Sequence, residues 1–405
     1  MPGTLPEGEP VPEDGSLPAS ATRGFGDAPF GVYVHVPFCR TRCGYCDFNT
    51  YTAAELGGGA SQATYPDLVT KEIGLAERVL PDTGKQVTAV FFGGGTPTLL
   101  APGQLGQIIR QVDDSFGLAA DAEVTAEANP ETVGPAELAQ LRAEGVTRLS
   151  FGMQSAVPHV LRVLDREHAP GRPADCVRWA RAAGFEHVSL DLIYGTPGES
   201  DDDWRRSLTA AVDAGPDHVS AYALIVEDGT RLAAKVRRGE IKPPDDDAMA
   251  DRYLIADDLL SQAGFSWYEL SNWAESGQSR CRHNELYWTG GHWWGFGPGA
   301  HSHVGGVRWW NVKHPTAYAA RLSAGHSPAA AREQLTAAER KMEEIMLRSR
   351  LAEGIPLSLL RGAALDSAER TVASRLADPV AFADGRLVLT LQGRLLADAV
   401  VRDLT

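Results

Sequence analysis

The sequence has little cysteine, a deficit of basic charge and no long apolar run, and each of these argues against a class of protein. Only five of its 405 residues are cysteine, too few for a disulfide-stabilised secreted scaffold. The formal net charge of −15 disfavours binding to nucleic acid phosphates and to anionic lipid. No apolar run approaches the length needed to cross a bilayer. We therefore predict a cytoplasmic protein with no nucleic acid partner and no transmembrane segment.

The first 28 residues also lack large apolar side chains. They are rich in proline, glycine, serine and acidic residues, and they have neither the basic start nor the apolar centre of a signal peptide. Such a segment cannot bury enough apolar surface to offset the entropy lost on ordering. We predict that residues 1–28 form a disordered N-terminal tail.

Three of the five cysteines lie in one short loop. Cys39, Cys43 and Cys46 follow an apolar, β-branched segment that predicts a buried strand. Thiolates are the ligands of iron–sulfur clusters, and three of them leave one iron of a four-iron cluster open to a small chelating molecule. A zinc site would need a second ligand pair, which the isolated Cys176 and Cys281 do not provide. The loop therefore favours a [4Fe-4S] cluster.

After this loop, short apolar runs alternate with segments of helical periodicity through about residue 223. This alternation predicts parallel strands joined by right-handed helical crossovers. Six strands rather than eight indicate an open, partial (β/α)6 barrel in an α/β fold. The predicted strands are Gly31–Val36, Val87–Phe92, Glu123–Ala128, Arg148–Met153, Val188–Ile193 and His218–Ala223.

Polar or glycine-rich residues end each of these six strands. Ligand sites of β/α barrels collect at the carboxyl ends of the strands, because all parallel strands end at the same edge. One acidic residue at a strand end is more often a helix cap or a surface group, but six strand ends in register favour a site. These strand ends are the cysteine loop, Gly93–Thr96, Glu127, Gln154, Asp191 and Tyr222–Ala223.

Residues 229–405 are predicted to form a second, smaller α+β domain behind a core of residues 29–228. Seven of the nine tryptophans lie between Trp267 and Trp310, and four histidines lie between His283 and His303. Interspersed glycines predict an irregular loop there, either a packed cover over the barrel mouth or a site for a flat, conjugated, anionic ligand. The last elements are similar in size to a winged helix, which we interpret as packing support.

The cysteine loop resembles the signature of the radical S-adenosylmethionine superfamily, and the chain from Tyr33 onward resembles the HemN/HemW family. Shared strings include Tyr33–Cys46, Gly93–Thr98, Phe151–Gln154 and Asp191–Gly195. The resemblance implies that Cys39, Cys43 and Cys46 hold the [4Fe-4S] cluster. It also implies S-adenosylmethionine contacts from Tyr33, Tyr45, Gly94, Gly95, Thr96, Glu127, Gln154, Arg166, Asp191 and Ala223.

Two features distinguish the branches of this family. The oxygen-independent coproporphyrinogen III dehydrogenases carry a fourth cysteine two places after the third, where this chain has Phe48. The haem chaperones carry a His-Asn-x-x-Tyr-Trp string, which is intact here from His283 to Trp288. Both features favour the haem chaperones. The haem residues that the resemblance implies are His283, Asn284, Tyr287 and Trp288.

We therefore predict a haem chaperone that binds haem, a [4Fe-4S] cluster and S-adenosylmethionine and delivers haem to acceptor proteins, with no catalytic residue assigned. Respiratory-chain enzymes are candidate acceptors, through which the protein could associate with a membrane peripherally. The alternative is the dehydrogenase, which decarboxylates two propionates of coproporphyrinogen oxidatively to vinyl groups. A radical methyltransferase is disfavoured, because the chain has no additional cysteine motif or appended domain.

Overall fold

The computed structural model describes residues 7–56, 61–166, 168–169 and 171–405. Its centre is a sheet of six parallel strands paired in chain order. All six predicted strands are confirmed. They are β1 Phe30–Val36, β2 Val87–Gly94, β3 Leu118–Ala128, β4 Arg148–Gln154, β5 His187–Tyr194 and β6 His218–Ala223.

Further strands extend this sheet on both sides. On one side β9 pairs parallel with β1, and on the other β8 pairs antiparallel with β6. The twelve-stranded order is β12-β11-β10-β9-β1-β2-β3-β4-β5-β6-β8-β7. The added strands are β7 Ser266–Glu269, β8 Asn272–Ala274, β9 His292–Phe296, β10 His301–Val304, β11 Val307–Asn311 and β12 Ala329–Gln334, and a separate pair is β13 Ile355–Pro356 with β14 Arg386–Leu387.

Helices connect the strands, and those between the parallel strands cover the outer face of the barrel. Up to residue 237 the helices are α1 Ala19–Arg23, α2 Tyr65–Val79, α3 Pro102–Phe116, α4 Pro135–Ala143, α5 Pro158–Val163, α6 Arg172–Ala182, α7 Asp201–Asp213 and α8 Arg231–Arg237. Beyond residue 237 they are α9 Asp246–Gln262, α10 Arg282–Trp288, α11 Pro315–Ser323, α12 Ala337–Arg348, α13 Ala363–Ala373, α14 Pro379–Ala383, α15 Leu391–Leu395 and α16 Ala397–Leu404. No helix in the described ranges is long and apolar enough to span a bilayer.

The period-two alternation of the strands separates an apolar face from a ligand-facing one. In β1, Val32 and Val34 are fully buried in the main apolar core, which also contains Val69 and Ile73 of α2. Tyr33, between these valines, instead lines the cavity inside the barrel. The core therefore lies between sheet and helices, which leaves the barrel interior free for polar groups.

A buried carboxylate attaches the added strands to the barrel. Glu72 of α2 accepts hydrogen bonds from Gly297 N at 2.9 Å, Asn311 Nδ2 at 2.7 Å and Tyr318 Oη at 2.5 Å. Burial raises the pKa of Glu72 to about 7, although all three donors act in the opposite direction. This node fixes strands β9 and β11 against the helical layer of the barrel.

Two predictions about local order were wrong. Residues 281–303, predicted as irregular loop, form α10, β9 and part of β10, because the glycines are used at the turns between elements. The prediction of a disordered N-terminal tail is wrong for residues 7–28, because Glu9 N donates to Arg332 O at 2.8 Å and Phe25 is buried against the core. Residues 1–6 lie outside the described residues.

The predicted boundary at residues 228–229 does not end the sheet, because β7 to β12 continue it. A separate apolar cluster forms within residues 345–404, from α12, the β13–β14 pair and the helices after it. The division into a core and one C-terminal domain, and the winged-helix-like end, stay predictions.

Candidate cofactor site

The barrel encloses a cavity of about 670 Å³, within the usual size range of small-molecule sites. Every residue predicted to hold the cluster or S-adenosylmethionine lines this cavity. The three cysteines enter it from the loop after β1, which is held by Thr96 N donating to Phe38 O at 2.8 Å and Cys39 N to Tyr51 O at 3.0 Å. The structure therefore brings the predicted ligand residues together at one site.

The three cysteines of the loop form no disulfide and are half-buried. Burial raises the pKa of Cys46 to about 12 and also raises the pKa of Cys39. Such thiols ionise readily only beside a strong positive charge, which a metal centre supplies. In the described part of the chain, no three metal-ligating side chains converge on one point as the ligands of a single ion would. The three thiols open onto one cavity, and thiolates are the ligands that a [4Fe-4S] cluster requires.

The glycines after β2 bring backbone close to the cysteine loop. Gly94 has φ +105°, and a Cβ atom there would lie 2.6 Å from the His35 ring. A Cβ at Gly95 would lie 2.5 Å from Phe38 O. Side chains are therefore excluded at both positions, and their backbone borders the cavity directly.

Two half-buried carboxyl groups face the cavity from β3 and β5, on either side of β4. Burial and the nearby Asp191 raise the pKa of Glu127 to about 8, although Gly94 N donates to it at 3.2 Å. Burial likewise raises the pKa of Asp191, against the donation of Ser150 Oγ at 2.8 and 2.9 Å. A cationic group placed between the two would restore their negative charge. The amino and sulfonium groups of S-adenosylmethionine have the required charge.

Gln154 and Arg166 connect the end of β4 to the cysteine loop. Gln154 has φ +61°, a left-handed conformation that is costly for a residue with a side chain and that concentrates at functional sites. Arg166 donates through Nη2 to Gly152 O at 2.9 Å and through Nη1 to Cys43 Sγ at 3.6 Å. These contacts couple the cluster loop to the strand.

Of the remaining predicted residues, Tyr33 faces the cavity from β1. Its hydroxyl pairs with His35 Nδ1 at 3.0 Å, and burial raises its pKa. Burial also raises the pKa of Tyr45 beside the cysteines. Thr96 and Ala223 border the cavity at the ends of their elements.

Helix α10, which carries the His-Asn-x-x-Tyr-Trp string, closes the barrel at the amino ends of the strands. Leu286 packs against Gly31 at the start of β1, and Arg282 donates to Asp121 Oδ2 at 2.9 Å. The His283 ring lies 4.7 Å from the Phe91 ring and 5.9 Å from the Tyr33 ring, both nearly parallel to it. His283 therefore points into the barrel, opposite the cysteine loop.

The His283 imidazole is neutral and has no hydrogen-bond partner. Its side chain belongs to a residue only 2% exposed, and neither Nδ1 nor Nε2 is paired. Burial lowers the pKa of His283 to about 3. An unpaired buried polar atom costs ~1–3 kcal/mol unless a ligand satisfies it. A neutral imidazole with a free lone pair fits the requirement for a haem iron ligand.

Of the other three residues of the string, two line the cavity and one only supports helix α10. Asn284 and Tyr287 line the cavity with His283, whereas Trp288 is absent from its lining. The side chains of Asn284 and Trp288 hydrogen-bond to the buried carboxyl of Glu269, which anchors α10 to β7. The structure therefore brings three of the four predicted haem residues to the cavity.

Several cavity residues escaped the sequence interpretation. They include Arg148 and His218 at the amino ends of β4 and β6, Thr125 beside Arg148 on β3, and the exposed Ile225 at the rim. Arg148 shares the inward face of β4 with Ser150 and Gly152 at every second position. That alternation is the signal available in the sequence, whereas the rule for β/α barrels predicts ligands only at the C-terminal ends of the strands.

Comparison with known proteins agrees with this arrangement. Residues 33–211 match the family model of the radical SAM superfamily. The haem chaperone HemW of Mycobacterium tuberculosis is 55% identical, over 93% of this chain and 95% of that protein. HemW of Bacillus subtilis is 31% identical, over 91% of this chain and 97% of that protein.

A solved structure supports the fold. Coproporphyrinogen III oxidase (HemN) from Escherichia coli matches with a TM-score of 0.78 over 93% of this chain and 90% of that one. At 21% identity this likeness concerns the fold alone. Together with the identity and coverage of the HemW proteins, it leads to one assignment: this chain belongs to the HemW family of the radical SAM superfamily.

Proposed function

We propose that this protein is a haem chaperone, which binds haem together with a [4Fe-4S] cluster and S-adenosylmethionine and passes the haem to acceptor proteins. The observation that carries the proposal is the neutral, unpaired imidazole of His283, which opens onto the same cavity as the three cysteine thiols. The relatives with 55% and 31% identity are themselves named haem chaperones.

Within this proposal, Cys39, Cys43 and Cys46 hold the cluster, whose open iron chelates S-adenosylmethionine. Glu127 and Asp191 face its cationic groups, and Arg166 holds the loop against β4. Tyr33, Tyr45, Thr96, Gln154, Ala223 and the backbone of Gly94 and Gly95 complete its contacts. These roles rest on the chemistry of residues that line one cavity.

His283 is the proposed haem ligand, with Asn284 and Tyr287 beside it and Trp288 holding the helix. Because the imidazole opens only onto the barrel interior, a porphyrin would reach it through the cavity or after displacement of α10. The acceptors, respiratory-chain enzymes among them, and a cytoplasmic location remain predictions.

The second candidate function is coproporphyrinogen III dehydrogenase, which the shared fold permits. Phe48 argues against it, because this residue replaces the fourth cysteine of that branch and lies 56% exposed at the cavity rim. Reconstituted protein supplied anaerobically with S-adenosylmethionine, reductant and coproporphyrinogen should form no protoporphyrinogen, as measured by chromatography after oxidation. Repeated turnover to the decarboxylated product would replace the chaperone with the dehydrogenase.

A further inference from the structure

The closed end of the cavity carries polar groups that the cluster and the predicted S-adenosylmethionine contacts leave unused. Thr125 of β3 and Arg148 of β4 are register partners on adjacent parallel strands, so their side chains lie side by side. Both line the cavity, with Thr125 fully buried and Arg148 only 1% exposed. They form a pair of donors at the end opposite the cysteine loop.

One terminal nitrogen of the Arg148 guanidinium has a hydrogen-bond partner, and the other has none. Its Nη1 donates to Ser279 O at 2.8 Å and lies 3.9 Å from Glu123 Oε2. Its Nη2 is buried and has no partner, and the buried Thr125 Oγ1 has none either. Leaving such groups unpaired is costly, and the cost is greater for a charged donor.

Glu123 neutralises this charge only in part. Its Oε1 is also approached by Cys281 Sγ at 3.6 Å and by His283 N at 3.4 Å, so the carboxylate is shared among three groups. The free edge of the guanidinium therefore retains positive charge in a dry environment. A planar acceptor with two oxygens satisfies such an edge best, and a carboxylate has that geometry.

We infer that Arg148 and Thr125 form a carboxylate-binding subsite at the closed end of the cavity. This inference rests on the proposed function, since both sources of the carboxylate are its ligands: a propionate of haem, or the amino-acid carboxylate of a second S-adenosylmethionine molecule, because the first is held by the open iron at the other end. Arg148 and the backbone N of His283 both contact Glu123, and both residues line the same cavity, so one ligand can engage the imidazole and the guanidinium together.

The first arm of the test uses haem and its dimethyl ester, whose propionates carry no charge. Reconstituted wild-type protein should bind haem about tenfold more tightly than the ester, as expected for a charge-assisted contact. Arg148→Gln should abolish that preference by weakening haem alone. The matched control is Arg252→Gln, which alters another buried arginine, 8% exposed and absent from the cavity lining.

The second arm counts S-adenosylmethionine molecules bound per chain by equilibrium dialysis with labelled ligand. Loss of one equivalent in Arg148→Gln, with iron content unchanged, would assign the subsite to S-adenosylmethionine. Thr125→Val, which keeps the side-chain shape, should weaken binding of the same ligand by a smaller factor. If Arg148→Gln does not fold, this variant tests the subsite in its place.

An unchanged haem-to-ester preference together with an unchanged S-adenosylmethionine count would overturn the subsite and leave Arg148 as a structural, water-solvated group. Absence of any haem binding by the wild type would refute the proposed function instead. In that case the S-adenosylmethionine count still decides the subsite.

Discussion

Replacing Cys43 by alanine is expected to abolish assembly of the iron–sulfur cluster, and replacing Cys39 or Cys46 should have the same effect. Each thiolate binds a separate iron, so the two that remain cannot hold the cluster. Iron and acid-labile sulfide per chain should fall to background after anaerobic reconstitution, and the visible absorption of the cluster should disappear. S-adenosylmethionine binding that depends on the open iron should be lost with it.

Cys176→Ala and Cys281→Ala are the matched controls for this experiment. Cys176 is fully buried on α6, where its thiol lies 3.6 Å from Pro130 O, outside the cavity. Cys281 lines the closed end of the cavity and contacts Glu123. Both variants should retain wild-type iron. An iron loss in Cys281→Ala as large as that in Cys43→Ala would contradict the three-thiolate site.

Replacing His283 is expected to remove the axial haem ligand. His283→Ala should shift the Soret band and weaken haem binding about tenfold or more, because stacking does not replace a bond to iron. Iron and sulfide of the cluster should stay at wild-type levels. Haem titration followed by absorption spectroscopy measures the Soret shift and the haem affinity in the same sample.

His283→Phe separates ligation from packing. Phenylalanine keeps a ring against Phe91 and Tyr33 and removes two unpaired buried nitrogens, so the melting temperature should be unchanged or higher. Haem binding should nevertheless fall as in His283→Ala. A structural role for the imidazole would give the opposite outcome, with normal haem spectra and altered stability.

The other candidate haem ligands near His283 in the sequence are Cys281, His292, His301 and His303. His292 Nε2 pairs with Gly24 O at 3.2 Å, and His303 Nδ1 pairs with Gly291 O at 3.1 Å. None of these three histidines lines the cavity, whereas Cys281 does. Cys281→Ala is therefore the variant to compare with the two His283 variants. If the Soret band is unchanged in both His283 variants and haem binding is lost in Cys281→Ala, Cys281 is the haem ligand.

The barrel could be predicted from sequence because its signals are local. Each strand is a short apolar run, and the polar residue that ends it must lie at the same edge as the others when the strands are parallel. Glu127, Gln154 and Asp191 belong to strands far apart in the chain, yet this one rule places them in a common cavity.

The pairing of the added strands could not be predicted because it depends on distant partners. The pairing of β9 with β1 joins residues about 260 positions apart, and no local pattern specifies it. The tail is a similar case. Its composition indicates disorder, but Phe25 packs edge-on at 5.0 Å against Phe30 and Glu9 pairs with Arg332 near β12. The composition of a segment does not show whether another part of the chain offers a surface against which the segment can pack.

The closed end of the site was missed for a geometric reason. Arg148 begins its strand and His283 lies on a helix more than a hundred residues later, and only the barrel closure by α10 makes them neighbours. The string from His283 to Trp288 was recognised from the family, but its position inside the barrel was not. Its glycine-rich surroundings indicated a loop over the mouth, whereas α10 lies at the other end.

Haem transfer tests the central claim most directly. Protein carrying the reconstituted cluster, S-adenosylmethionine and one equivalent of haem should be mixed with the haem-free form of a b-type haem protein, and the acceptor then isolated. The account predicts that the acceptor gains haem, detected by its own Soret band, and that a His283→Phe donor transfers none above the rate for free haem. Haem that stays on the wild-type protein, or reaches the acceptor no faster than free haem does, would contradict the chaperone function.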